Sequence, residues 1–157
     1  MAALFRHIVG MRQFPPRRIV CLTEETVETL YLLGEQDRIV GVSGYAVRPP
    51  QVRREKPRIS AFISADVPKI LALAPDLVFT FSDLQADIVA ELIRAGVAVH
   101  AFNQRDIAGI LAMVRTVGAL VGATTKSGLS ARIFGTSAEM KADTRGFSLR
   151  TRAGRTA

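Results

Sequence analysis

Residue types able to do chemistry fall in four short polar clusters: Thr23, Glu24 and Glu25; Ser43, Gly44 and Tyr45; Phe81, Ser82 and Asp83; Asn103, Gln104 and Arg105. A hydroxyl beside a carboxylate, as at Thr23 or Ser82, suits acid–base or nucleophilic work only with a base or a metal in reach, and the sequence pairs neither His7 nor His100 with such a partner. There is no GxGxxG or phosphate-cradling loop and no GxSxG elbow. Glu24, Glu25 and Glu28 share one helical turn, the pattern of a solvated face rather than of a tuned acid/base pair. A ring beside hydroxyl and amide groups is instead the equipment of a small-molecule platform. The expected chemistry is noncovalent binding, with no catalytic residue, no metal site and no enzyme activity.

Alternating strands and helices must position these clusters. "RRIVCL" (17–22), "RIVGV" (38–42), "DLVFTF" (76–81) and "VAVHAF" (97–102) are short, apolar, β-rich runs. "EETVETLYLLG" repeats apolar residues at helical spacing and ends on Gly34. Residues 65–73 predict a short helix capped by Asp66 with Pro68 in its first turn. "SDLQADIVAELIRAG" predicts a helix opened by a capping box of Ser82 and Gln85 and stopped by Gly96. A longer helix, capped by Asp106, carries Ile107, Ile110, Leu111, Val114, Val117, Leu120 and Val121 on one face. Residues 43–60, with Gly44, Pro49, Pro50 and Pro57, predict a long loop. Apolar strands separated by helices give an α/β, Rossmann-like three-layer lobe with a roughly four-stranded parallel sheet. Ligands of such sheets bind beyond the carboxyl ends of the strands, where all four clusters fall. Thr23 and Ser82 are also N-cap types, and Glu24, Glu25 and Asp83 suit a first helical turn, so helix stability is a sufficient account of each taken singly.

Composition bounds the rest. The chain has 157 residues, 48% of them hydrophobic, enough for one domain with a real core. Its single cysteine, Cys21, lies in a strand-like run and is expected to be buried and inert. His100, within an alternating strand, is expected to be a satisfied core or edge residue. The net charge of +7 is unevenly placed, because residues 123–157 carry seven Lys/Arg against two Asp/Glu. That tail is rich in Gly, Ser and Thr and predicts a basic, disordered segment with no aromatic interleaving, so nucleic acid is not an expected partner. No apolar run reaches membrane-span length, and the amino terminus has no continuous apolar core of secretory length. Neither membrane insertion nor export is expected from these residues, and as written the chain reads as cytoplasmic.

The order "RIVCLTEETVETLYLLGEQDRIVGVSGYAVRPP", "KPRISAFISADVPKILALAPDLVFTF" and "IRAGVAVHAFN" resembles the amino-terminal lobe of the periplasmic-binding-protein-like family that binds vitamin B12, ferric siderophores or haem for ABC importers. The resemblance covers residues 17–122, leaving 1–16 as an extension and 123–157 as an incomplete linking helix and tail. It implies a lobe that clamps ligand against a second lobe and docks on a membrane permease, with a periplasmic location. By position, the lobe's share of the cleft falls on Thr23, Glu24, Tyr45, Phe62, Phe81, Ser82 and Asn103. The ligand implied is cobalamin, haem or a ferric siderophore, with no resident cofactor. Where transporter-docking members often present a glutamate this chain has Pro68, which argues against an ion-pair contact there. With no second lobe in the sequence, a truncated or frameshifted product is expected, and a remnant or cytoplasmic module that dimerises through the uncovered surface is the alternative.

Overall fold

The computed structural model describes residues 14–60 and 65–123. The expected amino-terminal extension (apart from its last three residues), Phe62 and the basic tail lie outside the described residues. The compact unit that holds the sheet ends at Ala123.

Five parallel strands, β1 (Ile19–Cys21), β2 (Ile39–Ser43), β3 (Arg58–Ser60), β4 (Leu77–Phe81) and β5 (Val99–Phe102), lie in the order β3-β2-β1-β4-β5. Their connections carry α1 (Glu24–Leu32), α2 (Val52–Glu55), α3 (Val67–Ala72) and α4 (Ala86–Arg94), and α5 (Ile107–Leu120) follows β5. Side chains alternate across the sheet and feed two cores. Ile19, Cys21, Leu77 and Phe79 pack with Val27 and Leu30 of α1, Val52 of α2, and Met113 and Val117 of α5. Val20, Leu22 and Val78 pack on the other side with Val67 and Ile70 of α3 and with Ile88 and Leu92 of α4. The expected three-layer lobe is thus present.

Residues 43–60 depart from the expected loop by containing α2 and β3. A one-turn helix and a three-residue strand with a single apolar side chain, Ile59, have too little periodicity to read. Pro57 directly before β3 is tolerated because β3 is the sheet's edge.

The amino-terminal edge is tied structurally. Asp76 accepts the backbone N–H groups of Arg17 and Arg18, both at 2.9 Å, and the Arg18 guanidinium donates to the Leu73 carbonyl at 2.6 Å, satisfying the end of α3. Helix ends follow the sequence signals. Asp66 accepts from Lys69 N–H at 3.1 Å and Asp106 from Gly109 N–H at 2.7 Å, while Gly34 and Gly96 stop their helices at φ +71° and +82°. Thr23 differs: it occupies the N-cap of α1, but its hydroxyl donates to the Glu25 carboxylate instead of accepting a backbone N–H.

Cys21 is fully buried, and desolvation pushes its thiol up to about 12, leaving no thiolate to react. His100 stands on edge strand β5 with its ring 4.4 Å from that of Phe102 and 6.4 Å from that of Phe79. Partial burial lowers its pKa below the ordinary 6.5. The unfolded chain therefore binds this proton more tightly than the folded one. The stability linked to His100 is complete above pH 6.5 and declines as pH falls below it. Urea midpoints measured from pH 7.5 down to 5 should fall less steeply in His100→Gln than in the unsubstituted chain, and equal slopes would assign the acid sensitivity to other groups.

Candidate functional site

The strand order reverses direction between β1 and β4, so the connections after these neighbours leave to opposite sides and open a crevice beyond their carboxyl ends. Because all five strands are parallel, the ends of β1, β2, β4 and β5 share one edge. Three side-chain ties stitch that edge together.

The first tie joins the ends of β1 and β2. Glu24 accepts the Val47 N–H at 3.3 Å and faces Arg48 at 3.5 Å, and Arg48 also meets Glu28 at 3.2 Å. The carboxylates at the start of α1 thereby hold down the loop that carries Tyr45. The second tie crosses the crevice itself. Gln85, fully buried, accepts the Phe81 N–H at 3.0 Å and donates to the Leu22 carbonyl at 3.1 Å. One amide side chain thus satisfies a backbone N–H at the end of β4 and a backbone carbonyl just past β1. The third tie is the exposed Asp83–Arg105 pair at 3.4 Å, between the loops after β4 and β5.

The expected capping box is therefore only half made. The Ser82 hydroxyl accepts from Leu84 N–H at 3.3 Å, but Gln85 reaches back to Phe81 rather than to Ser82, whose own N–H donates to the Phe102 carbonyl at 2.7 Å. A 3-10 turn over Asp83–Gln85 comes first, and α4 begins only at Ala86. Ser82 has φ +60° and ψ 176°, a conformation close to glycine-only, so the corner stores backbone strain.

Around this edge the ligand-site candidates differ in access. Tyr45 is 62% exposed, Asn103 is exposed, Phe81 and Glu24 are half-buried, Ser82 is nearly buried, and Thr23 is buried at 2%. Sequence reasoning passed over Leu84 and Ile107, which stand 62% and 77% exposed on the turns after β4 and β5. Ile107 belongs by spacing to the apolar face of α5 but stands in its first turn, and Leu84 lies in the 3-10 turn before α4, where an apolar residue has less to pack against. Sequence reasoning also passed over the bridging role of Gln85, which the capping-box signature concealed. The edge thus exposes Tyr45, Leu84 and Ile107 together with the amide of Asn103, while the hydroxyls of Thr23 and Ser82 are turned inward. Among the described residues, no group of three His, Cys, Asp or Glu is arranged to hold a metal. A pocket of about 280 Å3 lined by Glu28, Tyr31, Leu32, Pro49 and Gln51 shares only Glu28 with the ties of this edge.

The family model described as periplasmic binding protein matches residues 19–128. A cobalamin-binding protein of Halobacterium salinarum is 29% identical over 109 residues, covering 68% of this chain and 30% of that protein. The crystal structure of a periplasmic vitamin B12 binding protein of Vibrio cholerae superimposes with a TM-score of 0.68 at 24% identity, over 86% of this chain and 52% of the other. That of a periplasmic heme binding protein from Pseudomonas aeruginosa gives 0.68 at 21% identity, over 82% and 46%. The chain thus spans about a third of the curated relative and about half of the solved neighbours.

Two substitutions test the edge. Gln85→Leu strands the Phe81 N–H and the Leu22 carbonyl and should lower unfolding stability by about 2–4 kcal/mol in urea; an unchanged midpoint would deny the tie. Ser82→Gly should relieve backbone strain and raise stability by about 1 kcal/mol despite losing the hydroxyl cap, and a fall in melting temperature would show that the cap outweighs the strain.

Proposed function

This chain belongs to the periplasmic binding protein family, and from that premise we propose that its lobe binds a corrinoid or an iron complex, as the solute-capturing part of an ABC importer. Binding takes place at the carboxyl edge of the sheet and involves no covalent chemistry. The observation that supports this reading is the edge itself: Tyr45, Leu84 and Ile107 stand exposed and Phe81 half-buried at the strand ends that also carry the exposed Asn103, on a frame stitched by Glu24, Gln85 and the Asp83–Arg105 pair. A macrocycle or metal chelate offers a broad apolar face with polar substituents at its rim, and this wall matches that division. The reading implies a location outside the cytoplasmic membrane and a membrane permease as partner. Among the described residues no helix is long and apolar enough to cross a membrane.

Titration of the full chain with cyanocobalamin, haemin and a ferric siderophore tests the reading through tyrosine fluorescence and melting temperature. One of the three should quench Tyr45 and raise the melting temperature as bound ligand stabilises the folded state. Tyr45→Ala should weaken that ligand about tenfold, the loss of roughly 1.4 kcal/mol of ring contact. No response to any of them at millimolar concentration would reject the reading.

A second reading is favoured by α5, where Ile107 and Ile110 stand 77% and 47% exposed on one face. Apolar surface of this kind calls for a cover, and a second copy of the chain supplies one. Light scattering should then find a dimer that Ile107→Glu converts to monomer, whereas a monomer at every concentration of the unsubstituted chain counts against pairing.

A further inference from the structure

Residues 53–58 read Arg-Arg-Glu-Lys-Pro-Arg, four cations with one carboxylate. The fold sets them on α2 and at the start of β3, the outermost strand of the sheet. Arg53, Arg54 and Arg58 are exposed, Lys56 is half-buried, and among the described residues none of the four faces an acidic partner. The single carboxylate, Glu55, is engaged by the Tyr31 hydroxyl at 2.7 Å. Elsewhere on the lobe several cations are paired, Arg38 with Glu35, Arg48 with Glu24 and Glu28, Lys69 with Asp66 and Arg105 with Asp83. Those among the described residues without an ion pair, such as Arg17 and Arg94, are scattered rather than gathered in one short segment.

Charge on an edge strand keeps it from pairing with another sheet. That requirement accounts for Arg58, which lies on β3, but not for Arg53 and Arg54, which lie on α2 outside the ladder. Unpaired like charges gathered within six residues repel one another, and a complementary anionic surface offsets that cost. The segment has no aromatic ring on which bases could stack, as single-stranded nucleic acid requires. An anionic leaflet asks for no such feature, since each Lys or Arg near it contributes nearly independently.

We propose that this edge is an electrostatic contact surface for a bilayer containing anionic phospholipid. The choice of a membrane rests on the reading that the lobe serves a membrane-embedded importer. On that reading the contact would hold the protein near the bilayer while the carboxyl edge of the sheet, built from different residues, handles solute.

Cosedimentation of the full chain with phosphatidylcholine vesicles, with and without phosphatidylglycerol, tests the proposal without any solute, so its failure is separate from failure of the titration above. Binding should require phosphatidylglycerol and disappear at about 0.5 M salt, where the screening length is only a few ångström. Replacing Arg53, Arg54 and Arg58 together by Gln should weaken binding on the order of a hundredfold, about fivefold for each lost cation. All three side chains are exposed, so the variant's melting temperature should match that of the unsubstituted chain. A companion variant, R145Q/R150Q/R152Q/R155Q, removes charge from the carboxyl-terminal tail and should retain the dependence on residues 53–58. The proposal is overturned if the triple variant binds as well as the unsubstituted chain, if the tail variant alone abolishes binding, or if single-stranded DNA binds more tightly than anionic vesicles at equal salt.

Discussion

A parallel sheet whose connections diverge from two neighbouring strands has no loop to hold those strands together at the point of divergence. Here that point lies between β1 and β4, and the amide of Gln85 spans it, taking the Phe81 N–H at 3.0 Å and offering its own N–H to the Leu22 carbonyl at 3.1 Å. An apolar side chain would fill the same volume but leave two backbone groups buried and unpaired, which costs more than the packing returns. The rest of the carboxyl edge depends on this bridge. It fixes where β4 ends, and hence where Phe81 stands and where the strained corner at Ser82 must turn.

The strain at Ser82 belongs to the same arrangement. Its N–H continues the ladder to the Phe102 carbonyl at 2.7 Å, while its hydroxyl must cap Leu84 and the residue three positions on must turn back under the sheet. An ordinary extended conformation would carry the chain away from the crevice. The positive φ brings it sharply round, so that Leu84 is left facing outward and Gln85 inward. An exposed apolar side chain and a buried bridge thus come from adjacent residues of one turn, at the expense of a strained local conformation that the surrounding hydrogen bonds sustain.

Much of this was legible in the sequence, and what was not had a physical reason. The apolar runs around Val20, Val40 and Val78 announced the sheet because burial on both faces leaves a strong pattern. The run around Val99 is legible from its β-branched and aromatic residues although β5 is a half-exposed edge, and the stops at Gly34 and Gly96 marked the helix ends. Asp66 and Asp106 announced their helices because capping is a local interaction between residues three apart. β3 was not legible, since an edge strand of three residues buries little and its pairing with β2 is non-local. The polar clusters were placed at one edge by the logic of parallel sheets, but their ties were hidden. Glu24 with Val47 and Gln85 with Leu22 join residues 23 and 63 positions apart, and each has a local alternative, first-turn carboxylate or capping-box partner, that explains its type without the long-range contact.

The ties also decide how far the edge is ordered in advance of any contact. Affinity depends on what is left after ordering costs, and a wall whose backbone is already held has little left to order. Phe81 is held by Gln85 at its own N–H, so the backbone that carries its ring is fixed within the fold. Tyr45 is held at its backbone too, its N–H donating to the Ser43 hydroxyl at 3.3 Å and Val47 two residues on pinned by Glu24, yet its ring stands 62% exposed where Phe81 is half-buried. The two aromatic groups of this edge thus share a fixed backbone and differ in exposure.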